Sequence, residues 1–287
     1  MKNNTSILFG NGINRALHSS ISWNELLERM MNNDKFQSEK LPNTLTYERI
    51  YLDRADENEE QSIKKEIAEM LRHVSHNELY DDMISLGCSD YLTTNYDYTF
   101  EKSIDLQPNI RGTEEIYSLR RYREYLGQQK SVRFWSLHGE IDSPKSIMLG
   151  LDHYCGAIAK LDSYIKGNYS TQKDGGLHQV SSMIKKLHEG KFCHTSWVDL
   201  FFSNDLHIVG LSLDFSETDL WWILNKRARL NKITPIKNKI YFHSTDEKSE
   251  KSDLLNKFGV LVQHYSVKDS YFNAYKNIFR TIGKIMK

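Results

Sequence analysis

The sequence predicts an α/β protein with a Rossmann-like parallel sheet flanked by helices and a helical insertion after the first strand. Short apolar runs alternate along the chain with segments that have helical spacing of apolar residues, a pattern typical of parallel sheets with right-handed crossovers. Several of these runs end in glycine or polar residues. Because the carboxyl ends of parallel strands meet at one edge, we expect these groups to lie together there, where such sheets bind ligands.

Three apolar runs in the first half of the chain predict strands. Between the first and the second, residues 20–89 carry apolar side chains at helical spacing, which predicts the insertion. Each run is followed directly by residues that can bind or react. The strands are predicted at residues 6–9, 90–94 and 132–137, and the groups after them are Gly10-Asn11-Gly12, Asn95 with Asp97, and His138.

The second half continues the alternation. A short return strand is predicted at residues 147–150, and residues 152–200 are predicted to form helices joined by loops that cap the sheet edge. The clearest buried strand follows and ends in Gly210-Leu211-Ser212-Leu213. The remaining elements are predicted as helices at 196–202 and 217–230 and strands at 206–211, 239–243 and 259–263.

Composition favours one folded domain over residues 1–287. The chain is 39% hydrophobic and 26% charged, as in soluble globular proteins. Lys plus Arg and Asp plus Glu are equal at 38 each, which disfavours binding to nucleic acid. Arg120, Arg121 and Arg123 form a local basic cluster, which we interpret as a solvated helix face.

Location and redox state can be predicted from the same composition. The first apolar run is interrupted at Gly10, too early for a signal peptide or a membrane span, so a cytoplasmic protein without membrane contact is expected. The three cysteines Cys88, Cys155 and Cys193 are far apart and odd in number. We therefore expect ordinary thiols and no metal site.

The glycine turn after the first strand suits a pyrophosphate. Gly10 and Gly12 permit close backbone approach, and the helix that follows offers free amide donors. The signal is weak alone, because such turns also occur where nothing binds. Arg15 stands where the usual dinucleotide fingerprint has its third glycine; this side chain either contacts a phosphate or ribose or is a surface charge.

Asn95, Asp97 and His138 are the candidate reactive group. The Asn95 amide can donate and accept, which suits a ribose hydroxyl or an attacking water, and Asp97 can orient it or bind an amide. The structural alternative is an Asx turn that closes the strand. His138 can exchange a proton near neutral pH, although a lone histidine is usually structural.

Taken together, residues 10–14, 93–97, 137–139 and 209–213 resemble the sirtuin-like NAD-binding domain of bacterial antiphage defence NADases. The resemblance extends over residues 6–264. It implies that Asn95 and His138 are catalytic: the asparagine positions the nicotinamide ribose and water, and the histidine acts as base. The residues that it implies for dinucleotide binding are Gly10, Asn11, Gly12, Asn14, Arg15, Thr94, Asp97, Gly210, Ser212, Leu213 and His243.

The resemblance also implies an activity. NAD+ is expected as the substrate, with cleavage of its bond between nicotinamide and ribose. The four zinc-binding cysteines of deacylating sirtuins are missing from the corresponding segment, which holds only Cys155 and Cys193. Residues 152–200 therefore replace the zinc module, and lysine deacylation is disfavoured. Linear and cyclic ADP-ribose both remain open as products.

The expected biological role is abortive antiphage defence. An unrestrained NADase would exhaust its own cell, and no sensor module follows the domain in this sequence. Control by homo-oligomer assembly or by a separately encoded partner is therefore expected. The resemblance implies an ATPase, an Argonaute-type protein or a nucleotide pyrophosphatase-like subunit as that partner. The alternative is a catalytically silent subunit that binds NAD or ADP-ribose.

Overall fold

An eight-stranded sheet forms the centre of the protein, in the order β10-β9-β8-β1-β2-β5-β4-β3. The computed structural model describes residues 4–17, 20–31, 41–54, 59–104, 106–111, 116–127, 131–173 and 176–287. The six strands from β10 to β5 are parallel, and β4 and β3 continue the sheet in antiparallel fashion. The strands of this sheet are β1 Thr5–Phe9, β2 Asp90–Thr93, β3 Pro108–Arg111, β4 Tyr122–Leu126, β5 Ser131–Ser136, β8 Asp205–Val209, β9 Ile240–Ser244 and β10 Val260–His264, and a separate hairpin pairs β6 Ser170–Lys173 with β7 Gly176–Gln179.

Strand β1 is the centre of the parallel part. It pairs with β2 on one side and with β8 on the other, with Leu8 opposite Leu92 and Ile208. The chain leaves β1 toward β2 and later returns to its other side, so the strand order reverses between β1 and β8. Open α/β sheets bind ligands at the carboxyl ends of strands at such a reversal.

Apolar side chains alternate between the two faces of the sheet and bury both. Leu8 and Trp135 belong to a cluster on one face, which also contains side chains of α8 and α9. Ile7 and Phe134 belong to a cluster on the other face, with side chains of α5 and α11. The helices are α1 Gly12–Arg15, α2 Trp23–Met30, α3 Asn43–Asp53, α4 Glu59–Leu71, α5 Leu79–Ser85, α6 Leu151–Lys166, α7 Met183–Glu189, α8 Trp197–Ser203, α9 Thr218–Asn231, α10 Glu250–Lys257 and α11 Tyr271–Met286.

A third apolar cluster, which we call the roof, covers the carboxyl edge of the sheet. It is formed by α2, α3 and α4, whose buried residues include Leu27, Ile50 and Ile67, together with Tyr96 and Ile147. Helix α2 begins with a capping box, in which the Ser22 hydroxyl accepts from the backbone of Glu25 and the Glu25 carboxylate accepts from that of Ser22. The roof encloses space between the helices and the strand ends.

The predicted fold class is confirmed, with helices α2 to α5 lying between β1 and β2 as expected for the insertion. Residues 32–40 and 55–58 of the predicted insertion lie outside the described residues. Among the residues described, no helix is long and apolar enough to cross a membrane.

Two local predictions are wrong. The arginine cluster is not on a solvated helix: Arg121 is buried, and Arg123 lies in strand β4, where its guanidinium pairs with Glu140 at 3.2 Å. The charge pattern gave no sign of this, because the compensating acid lies 17 residues away. The return strand at 147–150 is absent, because Met148 instead donates its N–H to the His138 carbonyl in a loop. The segment 152–200 contains the hairpin β6–β7 as well as helices.

Candidate functional site

A cavity of about 880 Å³ lies between the carboxyl edge of the sheet and the roof. Its walls come from the turns after β1, β2, β5, β8 and β9, and from helix α2. Small-molecule sites have volumes of roughly 300–1,000 Å³, so this cavity can hold a ligand of dinucleotide size. Of the predicted residues, it is lined by Asn11, Gly12, Arg15, Thr94, Asn95, Asp97, His138, Gly210, Ser212 and His243.

The glycines of the first turn pack against the turn after β8. The Gly12 N–H donates to the Gly210 carbonyl at 2.8 Å, and a Cβ on Gly12 would lie 2.7 Å from that oxygen. Gly210 has a φ of +63° and would place a Cβ 2.8 Å from the Ile13 side chain. Glycine is required here because two strand ends approach closely. The sequence analysis assigned these glycines to the close approach of a pyrophosphate. In the structure they also allow two segments of the protein itself to pack closely.

Asn14 and Asp97 form a buried network beneath the first turn. Asn14 donates to Asp97 at 3.1 Å and to Asn11 at 3.2 Å, and it accepts from Tyr80 at 2.6 Å. Asp97 also accepts from the backbone N–H of Thr99, so it makes the Asx turn after β2. Burial raises the pKa of Asp97, although these hydrogen bonds oppose the rise. Asn14 is fully buried and does not line the cavity.

Asn95 lines the cavity and is held in place through its backbone. Its N–H donates to the Thr93 hydroxyl at 3.0 Å, and that hydroxyl donates to the Phe9 carbonyl. The side-chain nitrogen of Asn95 is buried and has no hydrogen-bond partner among the described residues. Because a buried amide without a partner is costly, a ligand is the natural acceptor for it. The Asx turn belongs to Asp97, so Asn95 does not have the structural role that was its alternative.

His138 forms a buried ion pair with Asp219. Its Nε2 lies 3.0 Å from an Asp219 oxygen, both residues are 2% exposed, and the Tyr154 ring stands edge-on to the imidazole. The other Asp219 oxygen accepts from the backbone N–H of Leu220 in the first turn of α9. Burial alone would lower the pKa of His138, but the Asp219 carboxylate outweighs it and the pKa is raised. This pair fixes the ring and leaves Nδ1 as the nitrogen that can serve a ligand.

Glu217 is a third acid at this end of the cavity. It is 8% exposed, and burial raises its pKa to about 7 despite the nearby His138. The sequence analysis predicts a helix at 217–230 and assigns no role to Glu217. In the structure, Asp214 accepts from the Ser216 backbone just before this helix. Two acids spaced two residues apart at a helix start, after a glycine turn, were the available signal for Glu217 and Asp219.

The other predicted residues have different surroundings. Arg15 is exposed on the border of the cavity. Gly10 and Leu213 are not among the lining residues, and Leu213 is fully buried in the core with a φ of +48°. His243 is bonded through both ring nitrogens, to His207 at 2.9 Å and to the Tyr265 hydroxyl at 3.0 Å. Burial lowers the pKa of His243 to about 3, so this ring is neutral.

The comparison with family models decides the family. The model described as "SIR2-like domain" matches residues 89–261, which is more than half of the chain. The chain belongs to the SIR2-like domain family. The match includes Asn95, His138 and the Gly210 turn, whereas the Gly10 turn lies before it. Within the part of the chain that is described, no group of three or more His, Cys, Asp or Glu side chains could hold a metal ion.

A curated relative of this SIR2-like domain is "NAD(+) hydrolase ThsA" of Bacillus cereus (strain MSX-D12). The two sequences are 24% identical over 166 residues, which is 58% of this chain and 34% of the relative. The chain therefore matches about a third of the relative's length. The sirtuin-like resemblance drawn from the four motifs is confirmed by these two comparisons.

Proposed function

We propose that this SIR2-like domain hydrolyses NAD+ to nicotinamide and ADP-ribose. The observation that carries the proposal is that Asn95 and His138, from different strand ends, line one cavity of about 880 Å³. Asn95 contributes an amide nitrogen that has no hydrogen-bond partner among the residues described, and His138 contributes an imidazole fixed by a carboxylate. The similarity to an NAD(+) hydrolase supports the choice of substrate.

The electrostatics of the cavity suit a cationic nicotinamide ring. Glu217, which lines the cavity, and Asp219, which pairs with His138 behind it, place two buried carboxyl groups at the end that contains His138. Burial strengthens the interaction of such groups with a charge, because little water screens it. The ring loses its positive charge when its bond to ribose breaks, and the carbon left behind has oxocarbenium character, as in glycoside cleavage.

The proposed reaction needs one water. The bond between the ribose carbon and the nicotinamide nitrogen breaks, and the electron pair leaves with nicotinamide. Asn95 orients the water or the neighbouring hydroxyl, the water oxygen bonds to the ribose carbon, and His138 Nδ1 accepts the released proton. His138 performs this step only when neutral, so its raised pKa predicts activity that increases with pH.

The test is product analysis with matched variants. Purified protein is incubated with NAD+, alone and with candidate partner proteins, and nicotinamide, ADP-ribose and cyclic ADP-ribose are quantified by chromatography. N95A and H138A are expected to release no nicotinamide, and the controls N256A and H178A, on exposed residues outside the cavity, to match wild type. Unchanged release by N95A and H138A would refute the assignment. NAD+ binding without cleavage under every condition would favour the silent subunit.

We further propose that the activity belongs to abortive antiphage defence and is controlled by assembly or by a partner protein. The support is the resemblance to defence NADases and the harm that free NAD+ hydrolysis would cause. Expression in bacteria should deplete cellular NAD+ only when the activating partner or signal is present. Constant NAD+ levels during phage infection of an expressing strain would contradict this role.

A further inference from the structure

Glu217 is a buried acid that the proposed reaction does not use. Its Oε2 is buried and has no hydrogen-bond partner within the described part of the chain. The residue lines the cavity beside the pair of His138 and Asp219. Acids this buried are rarely found without a partner, because loss of hydration is not compensated.

A structural role in the helix does not explain Glu217. It precedes α9 at the position where acids commonly cap a helix, but its side chain makes no capping bond. Asp219 and Asp214 meet the local backbone needs instead, by accepting from Leu220 and Ser216. The carboxyl group of Glu217 therefore serves the cavity.

Glu101 shows what a structural buried glutamate looks like in the same chain. It has the same 8% exposure and a pKa that burial raises to about 7. Its Oε2, like that of Glu217, has no hydrogen-bond partner among the described residues, but its Oε1 accepts from the Tyr125 hydroxyl and pairs with Arg123 at 3.8 Å. Glu101 does not line the cavity. The two glutamates thus differ in the protein partners of Oε1 and in their access to the cavity.

The chemistry of Glu217 selects its ligand group. Burial raises the pKa of Glu217 to about 7, so at pH 8 the side chain is ionised and only accepts hydrogen bonds, and its partner must be a donor. Phosphate oxygens are excluded at that pH, because two anions would repel each other at this buried position. His138 lies nearby and is proposed to act at the ribose carbon that bears nicotinamide, so the nearest donors on a bound dinucleotide are the hydroxyls of that ribose.

We propose that Glu217 is a specificity-determining residue, which accepts a hydrogen bond from a hydroxyl of the nicotinamide-bearing ribose. This inference rests on the proposed binding of NAD+. It assigns recognition of a ribose, as opposed to a deoxyribose, to Glu217. Asn95 and His138 then act on the carbon that this contact positions.

The experiment measures binding, so it does not depend on turnover. Calorimetry is done at pH 8 with four ligands: ADP-ribose, an ADP-ribose analogue that lacks one terminal ribose hydroxyl, AMP, which lacks that ribose, and NAD+. The proteins are wild type, E217Q, E217A and the matched control E101Q. Loss of a charged hydrogen bond weakens binding by roughly 10- to 100-fold, so E217Q and E217A should lose about this much affinity for ADP-ribose. AMP binding should be unchanged, and E101Q should bind all ligands like wild type.

The analogue identifies the contact. Wild type should bind the analogue that lacks the contacted hydroxyl as weakly as E217Q binds ADP-ribose. E217Q should bind this analogue with little further loss of affinity, because both changes remove the same hydrogen bond. Wild-type affinity of E217Q and E217A for ADP-ribose would overturn the inference. Weakening for NAD+ alone would also overturn it, since Glu217 would then contact nicotinamide. Absence of any ADP-ribose and NAD+ binding by wild type would instead overturn the proposed function, and this inference with it.

Discussion

The ion pair between His138 and Asp219 makes stability depend on pH in a way that one substitution should reverse. Asp219→Asn keeps the size of the side chain and removes its charge. In wild type the carboxylate, 3.0 Å away, outweighs burial and raises the pKa of His138 above its ordinary value of 6.5. In D219N only the smaller effect of Glu217 opposes burial, so the same pKa should fall below 6.5.

The sign of the effect follows from proton binding. In wild type the pair stabilises the fold fully below pH 6.5, and this contribution is lost as the pH rises through the raised pKa of folded His138. In D219N the unfolded chain binds the proton more tightly, so stability increases as the pH rises toward 6.5. Each histidine contributes a slope of at most about 1.4 kcal/mol per pH unit. Removal of one partner of a buried pair costs about 3–5 kcal/mol, which we expect on the acidic side.

The assay is urea unfolding of wild type and D219N between pH 5.5 and pH 8.5. The difference in unfolding free energy should be largest at pH 5.5 and shrink as the pH rises. The control is Asp253→Asn, since Asp253 is exposed and lies 3.9 Å from Lys248; its difference from wild type should stay within about 0.5 kcal/mol at every pH. The pH at which nicotinamide release rises should also shift downward in D219N. A difference that does not vary with pH would refute the argument.

Five further substitutions separate binding groups from structural ones. N95A should abolish nicotinamide release yet change the unfolding free energy by less than about 1 kcal/mol, because the amide nitrogen of Asn95 has no hydrogen-bond partner among the described residues. N14A should lower the unfolding free energy by about 2–4 kcal/mol, because it leaves buried groups unpaired. Equal losses of stability for the two variants in urea unfolding would contradict this. G12A should lower the unfolding free energy by about 1–3 kcal/mol and weaken ADP-ribose binding, because the new Cβ would lie 2.7 Å from the Gly210 carbonyl oxygen. The control G283A, whose Cβ would lie 3.4 Å from its nearest neighbour, should leave the melting temperature unchanged or raise it. E217Q should stabilise the fold by on the order of 3 kcal/mol at pH 8 and by little at pH 4.5. The reason is that the Glu217 carboxyl group, with a pKa of about 7 when folded and 4.5 when unfolded, opposes folding once it is ionised. An unchanged melting temperature of E217Q at pH 8 would refute this.

The central strands were predictable because they are buried on both faces and read as continuous apolar runs. Strand β4 was not, because a short segment with Tyr122 and Arg123 becomes a strand only through pairing with β5. Its charge is compensated by Glu140, which no local pattern indicates.

The site was partly predictable for a related reason. Asn95 and His138 directly follow strands, so the topology of a parallel sheet brings them to one edge. Glu217 and Asp219 lie at the start of helix α9, which connects β8 to β9. Which of these side chains reach the cavity depends on how this helix packs against the sheet. The sequence likewise could not show that Gly12 is needed for contact with Gly210. Roles for Asn95, His138 and the dinucleotide-binding residues stay predictions until the variants are measured.

The position of β1 has a consequence for biosynthesis. This strand is made before the other strands of the sheet, yet Thr5 pairs with Asp205, so the neighbour on one side is made about 200 residues later. The two halves of the sheet stay unjoined until then, and the Gly12 turn has no Gly210 to receive its N–H. A nascent chain therefore holds no complete cleft for a dinucleotide. Release of an incomplete product should therefore yield an aggregation-prone species that lacks this cavity.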